Sequence, residues 1–145
     1  MNNSVFVVRH SEWKWENDGV TMSLTEKGIE LAMKTALDIR EATKNVRNVT
    51  VVTSLIQRAS LTAKIISNIC DDAKIITSEL LTDDCFFSKK RIETEDFLIR
   101  LLAMRNKNES IIIVTHEPWC KFICRLMKCY SRIEMGMFIG FPYGQ

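Results

Sequence analysis

Continuous apolar runs and helical stripes take turns along this chain. Ser4 to Val8 (SVFVV) is a short unbroken apolar run, the mark of a strand buried on both faces. A helix is predicted from Ser23. There S-L-T-E reads as a capping box with Glu26 at its third position, and Ile29, Ala32, Met33, Ala36 and Leu37 follow at helical spacing to near Thr43 or Lys44. Val49 to Thr53 (VTVVT) predicts a second strand. Ser54-Leu-Ile-Gln57 reads as a second capping box, opening a helix with Leu61, Ile65 and Ile69 on one face. Lys74 to Thr77 is a third strand, and Glu93 to Arg105 a helix with Phe97, Leu101 and Met104 in step. Ser110 to Thr115 (SIIIVT) is the clearest strand pattern. A last helix opens at Pro118, a favoured first helical residue, and carries Phe122, Ile123 and Leu126. Met137 to Phe141 closes the pattern as a final strand.

Strands alternating with helices predict an α/β domain with a mostly parallel central sheet. The length of 145 residues fits one domain spanning 1–145, able to bury roughly 70% of its unfolded surface without a metal or disulfide staple. Composition narrows the picture. At 46% hydrophobic and 26% charged, the chain is neither disordered nor low in complexity. Its net charge of +2 implies no nucleic acid and no anionic membrane as partner. No apolar run approaches the ~18 residues of a membrane helix. The N-terminal segment, lacking a basic lead, is not expected to be a signal peptide. Five cysteines, odd in number and without a C-x-x-C pair, fit reduced thiols in a cytoplasm.

Only two histidines are present. His10 follows the first strand and His116 follows the SIIIVT strand. Open parallel sheets bind ligands beyond the carboxyl ends of their strands, so both stand where a site is expected. Arg9 adjoins His10, and Arg58 lies in the first turn of the helix after the second strand. Helix starts offer free N–H groups and a positive dipole end. Two arginines, two imidazoles and two helix starts suit phosphate, whose oxygens match guanidinium forks.

Four blocks carry a family resemblance. V-V-R-H-S-E (Val7 to Glu12) resembles the R-H-G signature of the histidine phosphatase, or phosphoglycerate mutase-like, superfamily. L-T-E-K-G (Leu24 to Gly28) resembles that family's first-helix start. T-S-L-I-Q-R-A-S-L-T-A (Thr53 to Ala63) resembles its second block, and V-T-H-E-P-W (Val114 to Trp119) the block with the second histidine. The length and the H-x-P form are most like the short single-domain phosphohistidine phosphatases. The resemblance implies a three-layer α/β/α phosphoglycerate mutase-like fold. It also implies a metal-independent phosphatase without a cofactor. His10 would be the nucleophile and form a phosphohistidine. Arg9, Arg58 and His116 would hold the phosphoryl oxygens. The substrate would be a phosphomonoester or a protein phosphohistidine, with a small-metabolite phosphatase or a non-catalytic phosphate-binding module as alternatives.

Four carboxyls remain open as general acid: Glu79, Asp83, Asp84 and Glu12. Asp83 and Asp84, in the loop after the third strand, are the expected catalytic pair. The family glycine after the histidine is Ser11 here. Its side chain would either crowd the phosphate or lend it a hydrogen bond. Lys89, Lys90 and Arg91 form a basic run, either a solvated face or a contact for an acidic partner or substrate. The short stretch from Leu81 to Glu93, and the chain's end soon after Phe141, leave no room for large lid insertions. An open pocket is therefore expected. Oligomeric state has no sequence signal.

Overall fold

The computed structural model describes residues 3–142; the ends of the domain expected over 1–145 lie outside the described residues. The elements run β1 (Asn3–Arg9), β2 (Trp13–Trp15), β3 (Met22–Leu24), α1 (Glu26–Thr43), β4 (Asn48–Ser54), α2 (Gln57–Ile69) and β5 (Lys74–Ser78). A 3-10 turn (Glu79–Leu81) leads to α3 (Asp83–Phe86), α4 (Arg91–Ala103), β6 (Glu109–Thr115), α5 (Glu117–Leu126) and β7 (Phe138–Pro142). The main sheet has the order β5-β4-β6-β1-β7. β1, β4, β5 and β6 are parallel, and β7 joins the edge antiparallel to β1.

The strand pattern explains the layers. Successive residues of a strand face opposite sides, so an unbroken apolar run feeds two cores. Val5 and Val7 of β1, with Ile111 and Ile113 of β6, pack against Leu98 of α4 and Trp119 and Ile123 of α5. Phe6, Val8, Ile112 and Val114 pack against Ala36 and Ile39 of α1 and Ala59, Ala63 and Ile66 of α2. Helices thus cover both faces, and the expected three-layer α/β/α arrangement is present.

Several local expectations shift. α1 is capped by Thr25, whose Oγ1 accepts the Gly28 amide at 2.9 Å, not by Ser23. Ser23 is drawn into β3, which pairs with β2 in a separate hairpin absent from the sequence reading. That hairpin turns at Asp18 and Gly19. Asp18 accepts from the amides of Val20 and Thr21, and Gly19 takes φ +70°. In α1 the buried residues are Gly28, Ala32, Thr35, Ala36, Ile39 and Thr43, while Ile29, Met33 and Leu37 stay exposed. α2 begins at Gln57 with no side-chain cap, because Ser54 ends β4 and its hydroxyl is used elsewhere. The acidic loop is not a loop: Asp83 and Asp84 form the first turn of α3, where the helix dipole favours carboxylates.

Candidate active site

Four strand ends bring the candidate residues to one edge of the sheet. His10 follows β1, Ser54 ends β4 ahead of Arg58 on α2, the turn after β5 delivers Asp83, and His116 follows β6. The His10 amide donates to Thr115 O at 3.0 Å, tying the ends of β1 and β6 together where the two histidines emerge. The imidazole rings lie 5.3 Å apart between centroids. Both are almost wholly buried.

His10 Nδ1 stands 3.1 Å from Ser11 O. A carbonyl only accepts, so Nδ1 carries the proton and Nε2 keeps its lone pair. Burial is the main force holding the His10 pKa down at about 4. The Ser11 carbonyl pulls it up, and Arg58 and Arg9 push it down further. The ring is thus neutral at physiological pH. Burial, more than the neighbouring arginines, keeps it so.

His116 Nε2 lies 2.9 Å from Ser54 Oγ. That hydroxyl oxygen also accepts the Ile56 amide at 3.2 Å, and its proton has no acceptor but His116 Nε2 among the described residues, so we assign the proton to that nitrogen. His116 then carries its own proton on Nδ1, a buried atom with no partner among the described residues. Burial lowers the His116 pKa. Asp83 opposes that shift, and His10, Arg58 and Arg9 add to it.

The arginines are held from the side. Arg9 Nη2 pairs with Glu117 Oε2 at 3.4 Å, and Nη1 donates to Ile133 O at 3.4 Å. Arg58 Nη2 pairs with Asp83 Oδ2 at 3.1 Å, and its guanidinium carbon sits 4.9 Å from the centroid of the Trp13 ring. Nη1 of Arg58 also donates to Met22 Sδ at 3.7 Å. The β2–β3 hairpin therefore flanks the site. The backbone just ahead of Asp83 is anchored as well, since Trp119 Nε1 donates to Thr82 O at 2.8 Å.

Arg9, His10, Arg58, His116 and Asp83 are thus brought together. Three other candidates are not. Asp84 is exposed and enters the charge balance of neither histidine. Glu79 is exposed and lies 3.9 Å from Lys90. Glu12 accepts the Thr25 hydroxyl at 2.8 Å and locks the start of α1. Ser11 neither crowds the site nor offers its hydroxyl to it: Oγ donates to Gly28 O at 2.6 Å, and its amide donates to Thr62 Oγ1 at 2.9 Å. Sequence reasoning passed over Glu117, Trp13, Trp119 and the pairing role of Ser54. The D-G turn signal at Asp18–Gly19 pointed to the hairpin that carries Trp13; nothing local marked the others.

The family model of the histidine phosphatase superfamily (branch 1) matches residues 5–87, which include His10, Arg58 and Asp83. The chain belongs to the histidine phosphatase superfamily. Solved structures with the same fold include the protein histidine phosphatase SixA complexed with tungstate, at 15% identity and a TM-score of 0.67, covering 94% of this chain and 92% of that one. A phosphoglycerate mutase from Plasmodium falciparum matches at 20% identity and 0.63, over 88% and 71%. An alpha-ribazole phosphatase from Shigella flexneri matches at 17% and 0.60, over 92% and 87%. A search of curated proteins finds no match. As a superfamily member the chain has its paired histidines at the sheet's carboxyl edge. Among the described residues no cluster of three or more His, Cys, Asp or Glu is arranged to hold a metal ion, and no helix is long and apolar enough to cross a membrane.

Proposed function

We propose that this superfamily member is a metal-independent phosphatase that hydrolyses a phosphomonoester or a protein phosphohistidine through a phosphohistidine on His10. The observation that carries this reading is the neutral His10 ring, its proton committed to Ser11 O and its Nε2 free, 5.3 Å from His116 and flanked by two guanidinium groups. A neutral imidazole with a free lone pair is a nucleophile.

Nε2 attacks phosphorus, the N–P bond forms, and the bond to the leaving atom breaks. Arg9, Arg58 and the Nδ1–H of His116 receive the charge that gathers on the phosphoryl oxygens. Asp83, a carboxylate paired with Arg58, is the group best placed to take the proton that a phosphomonoester monoanion brings and pass it to the leaving oxygen as the P–O bond breaks. Water then attacks the phosphohistidine phosphorus and gives a proton back to Asp83, the N–P bond breaks, and inorganic phosphate takes that proton as it leaves, returning His10 and Asp83 to their starting forms. An imidazole leaving group depends less on that acid than an alkoxide does. The tungstate complex of a structural neighbour supports a tetrahedral oxyanion as guest of this fold.

The turn from Glu79 to Lys90 is short, with only a 3-10 turn and the four residues of α3. With no lid segment between Glu79 and Lys90 among the described residues, a phosphoprotein is favoured over the sugar phosphate that a mutase must retain through a second transfer. The binding-only alternative rests on Ser11 and on the unassigned general acid; the Ser11–Gly28 hydrogen bond argues against the first ground, and turnover of an aryl phosphate separates the two readings.

The test is chemical trapping. Brief reaction with a phosphodonor and an acid-free quench should leave label on His10 alone, lost in mild acid and stable in base. His10→Ala should abolish both label and turnover. Label on a cysteine or aspartate, or turnover that persists in His10→Ala, refutes the mechanism.

A further inference from the structure

The basic run at Lys89 to Arg91 finds no role in the phosphoryl site. Its last member borders a separate groove of about 280 Å³ between α3, the start of α4, and α5. Phe86, Phe87 and Phe122 form its apolar floor. The floor is rigid: Trp119 stacks edge-on against Phe86 at 5.2 Å and against Phe122 at 5.7 Å. Phe87 remains 77% exposed. Arg91, Lys121 and Arg125 form the rim, with Arg91 held 4.1 Å from the Phe86 centroid. Arg91 pairs with Glu95 and Lys121 with Glu117, but Arg125 has no ion-pair partner among the described residues.

The groove adjoins the candidate active site through α3 and Glu117. α3 begins at Asp83, which pairs with Arg58, and ends at Phe86 on the groove floor. Glu117 lines the groove and also pairs with Arg9. A chain whose phosphorylated side chain reached His10 would therefore lay its neighbouring residues along this surface.

We infer that the Phe86–Phe87–Phe122 groove with its Arg91, Lys121 and Arg125 rim is a docking site for an acidic peptide segment, bearing an apolar side chain, that flanks the phosphorylated residue of a protein substrate. Arg91 and Lys121 are each offset by one carboxylate, Glu95 and Glu117, so Arg125 leaves the rim a net positive charge that selects for acidic sequence. Exposed aromatic and arginine side chains are the residue types that dominate such contacts. The volume falls just under the roughly 300–1,000 Å³ range of small-molecule pockets, so it fits a side chain better than a whole metabolite. The catalytic consequence rests on the phosphatase reading above; the binding itself does not.

Two measurements on the full chain test this. In the first, a short fluorescein-labelled peptide of glutamates around a central phenylalanine is titrated against its lysine counterpart. The acidic peptide should bind at least about tenfold more tightly, and Phe87→Ala or the double change Arg91→Glu with Arg125→Glu should erase that preference. Arg125→Gln, at an exposed position, gives a smaller loss in the same direction if the double variant does not fold. In the second, the same flanks are placed on a phosphohistidine peptide. The variants should lower kcat/KM for the acidic-flanked peptide by about tenfold while leaving p-nitrophenyl phosphate turnover unchanged. Equal binding of acidic and basic peptides, or capture by phosphatidylserine vesicles without peptide binding, overturns the inference. Acidic-peptide preference in a protein that turns over neither substrate would instead remove the phosphatase reading and leave the docking site.

Discussion

Ser54 Oγ and His116 Nε2 lie 2.9 Å apart in a fully buried pair that joins the carboxyl ends of β4 and β6. The serine proton has no other acceptor among the described residues, so we assign it to His116 Nε2, which leaves the His116 proton on Nδ1. A residue that reads as a helix cap in the sequence thus sets the tautomer of a site histidine.

Ser54→Ala should therefore lower kcat about 10- to 100-fold, the usual scale for losing a buried partner that orients a reactive ligand, while the fold persists. Nitrogen-15 NMR of the wild type should show the Nδ1–H tautomer at His116, and the variant should lose that preference. An Nε2–H tautomer in the wild type would contradict the assignment.

Asp83 and Asp84 should behave differently. Asp83 pairs with Arg58 at 3.1 Å, whereas Asp84 is exposed. Asp83→Ala should slow an alkyl phosphate on the order of 10²-fold more than a nitrophenyl phosphate, because an alkoxide needs a proton to leave. Asp84→Ala should change neither. Equal small losses for both substrates in Asp83→Ala would take it out of proton transfer.

Ser11→Gly should cost about 1 kcal/mol of stability through the lost Ser11–Gly28 hydrogen bond and leave phosphate inhibition unchanged. Gly28→Ala should be far worse, because an added Cβ would lie 2.1 Å from Glu12 O. Denaturant melts and phosphate inhibition constants separate the two effects. A weakened phosphate affinity in Ser11→Gly would return the hydroxyl to the anion site.

Stability should fall on the acid side. His10 titrates at 6.5 when unfolded and at about 4 in the fold, and His116 shifts in the same direction. Between those pH values the unfolded chain binds protons that the folded chain does not. These groups therefore make stability rise with pH across that window, and it is lost as pH falls from about 6.5 toward 4. The rate should keep its neutral nucleophile to near pH 5. A rate that halves near pH 6.5 through His10 would contradict the buried, neutral ring.

Much of the fold was legible because strand burial writes itself into composition. SVFVV and SIIIVT are apolar at every position since both sheet faces are covered, and the two cores confirm it. The short hairpin was not legible as structure. Three-residue strands carry no period, and the hairpin gains its place by holding Arg58 through Trp13 and Met22. The caps misled for a related reason. Ser23 and Ser54 have the right chemistry for helix starts, but one is taken by β3 and the other by His116, and a tertiary partner outweighs a local preference.

The alternation of elements, the two histidines at strand ends and the arginines beside them can all be read along the chain, because they depend on periodicity and on residue type at fixed offsets. Which acidic residue faces the imidazoles, which ring nitrogens carry protons, where the Ser11 hydroxyl goes and what Glu117 and Trp119 hold are set by the folded packing. Those choices depend on angstrom-scale contacts between segments far apart in the chain. Desolvation, which makes His10 neutral, exists only once the sheet edge has closed around it.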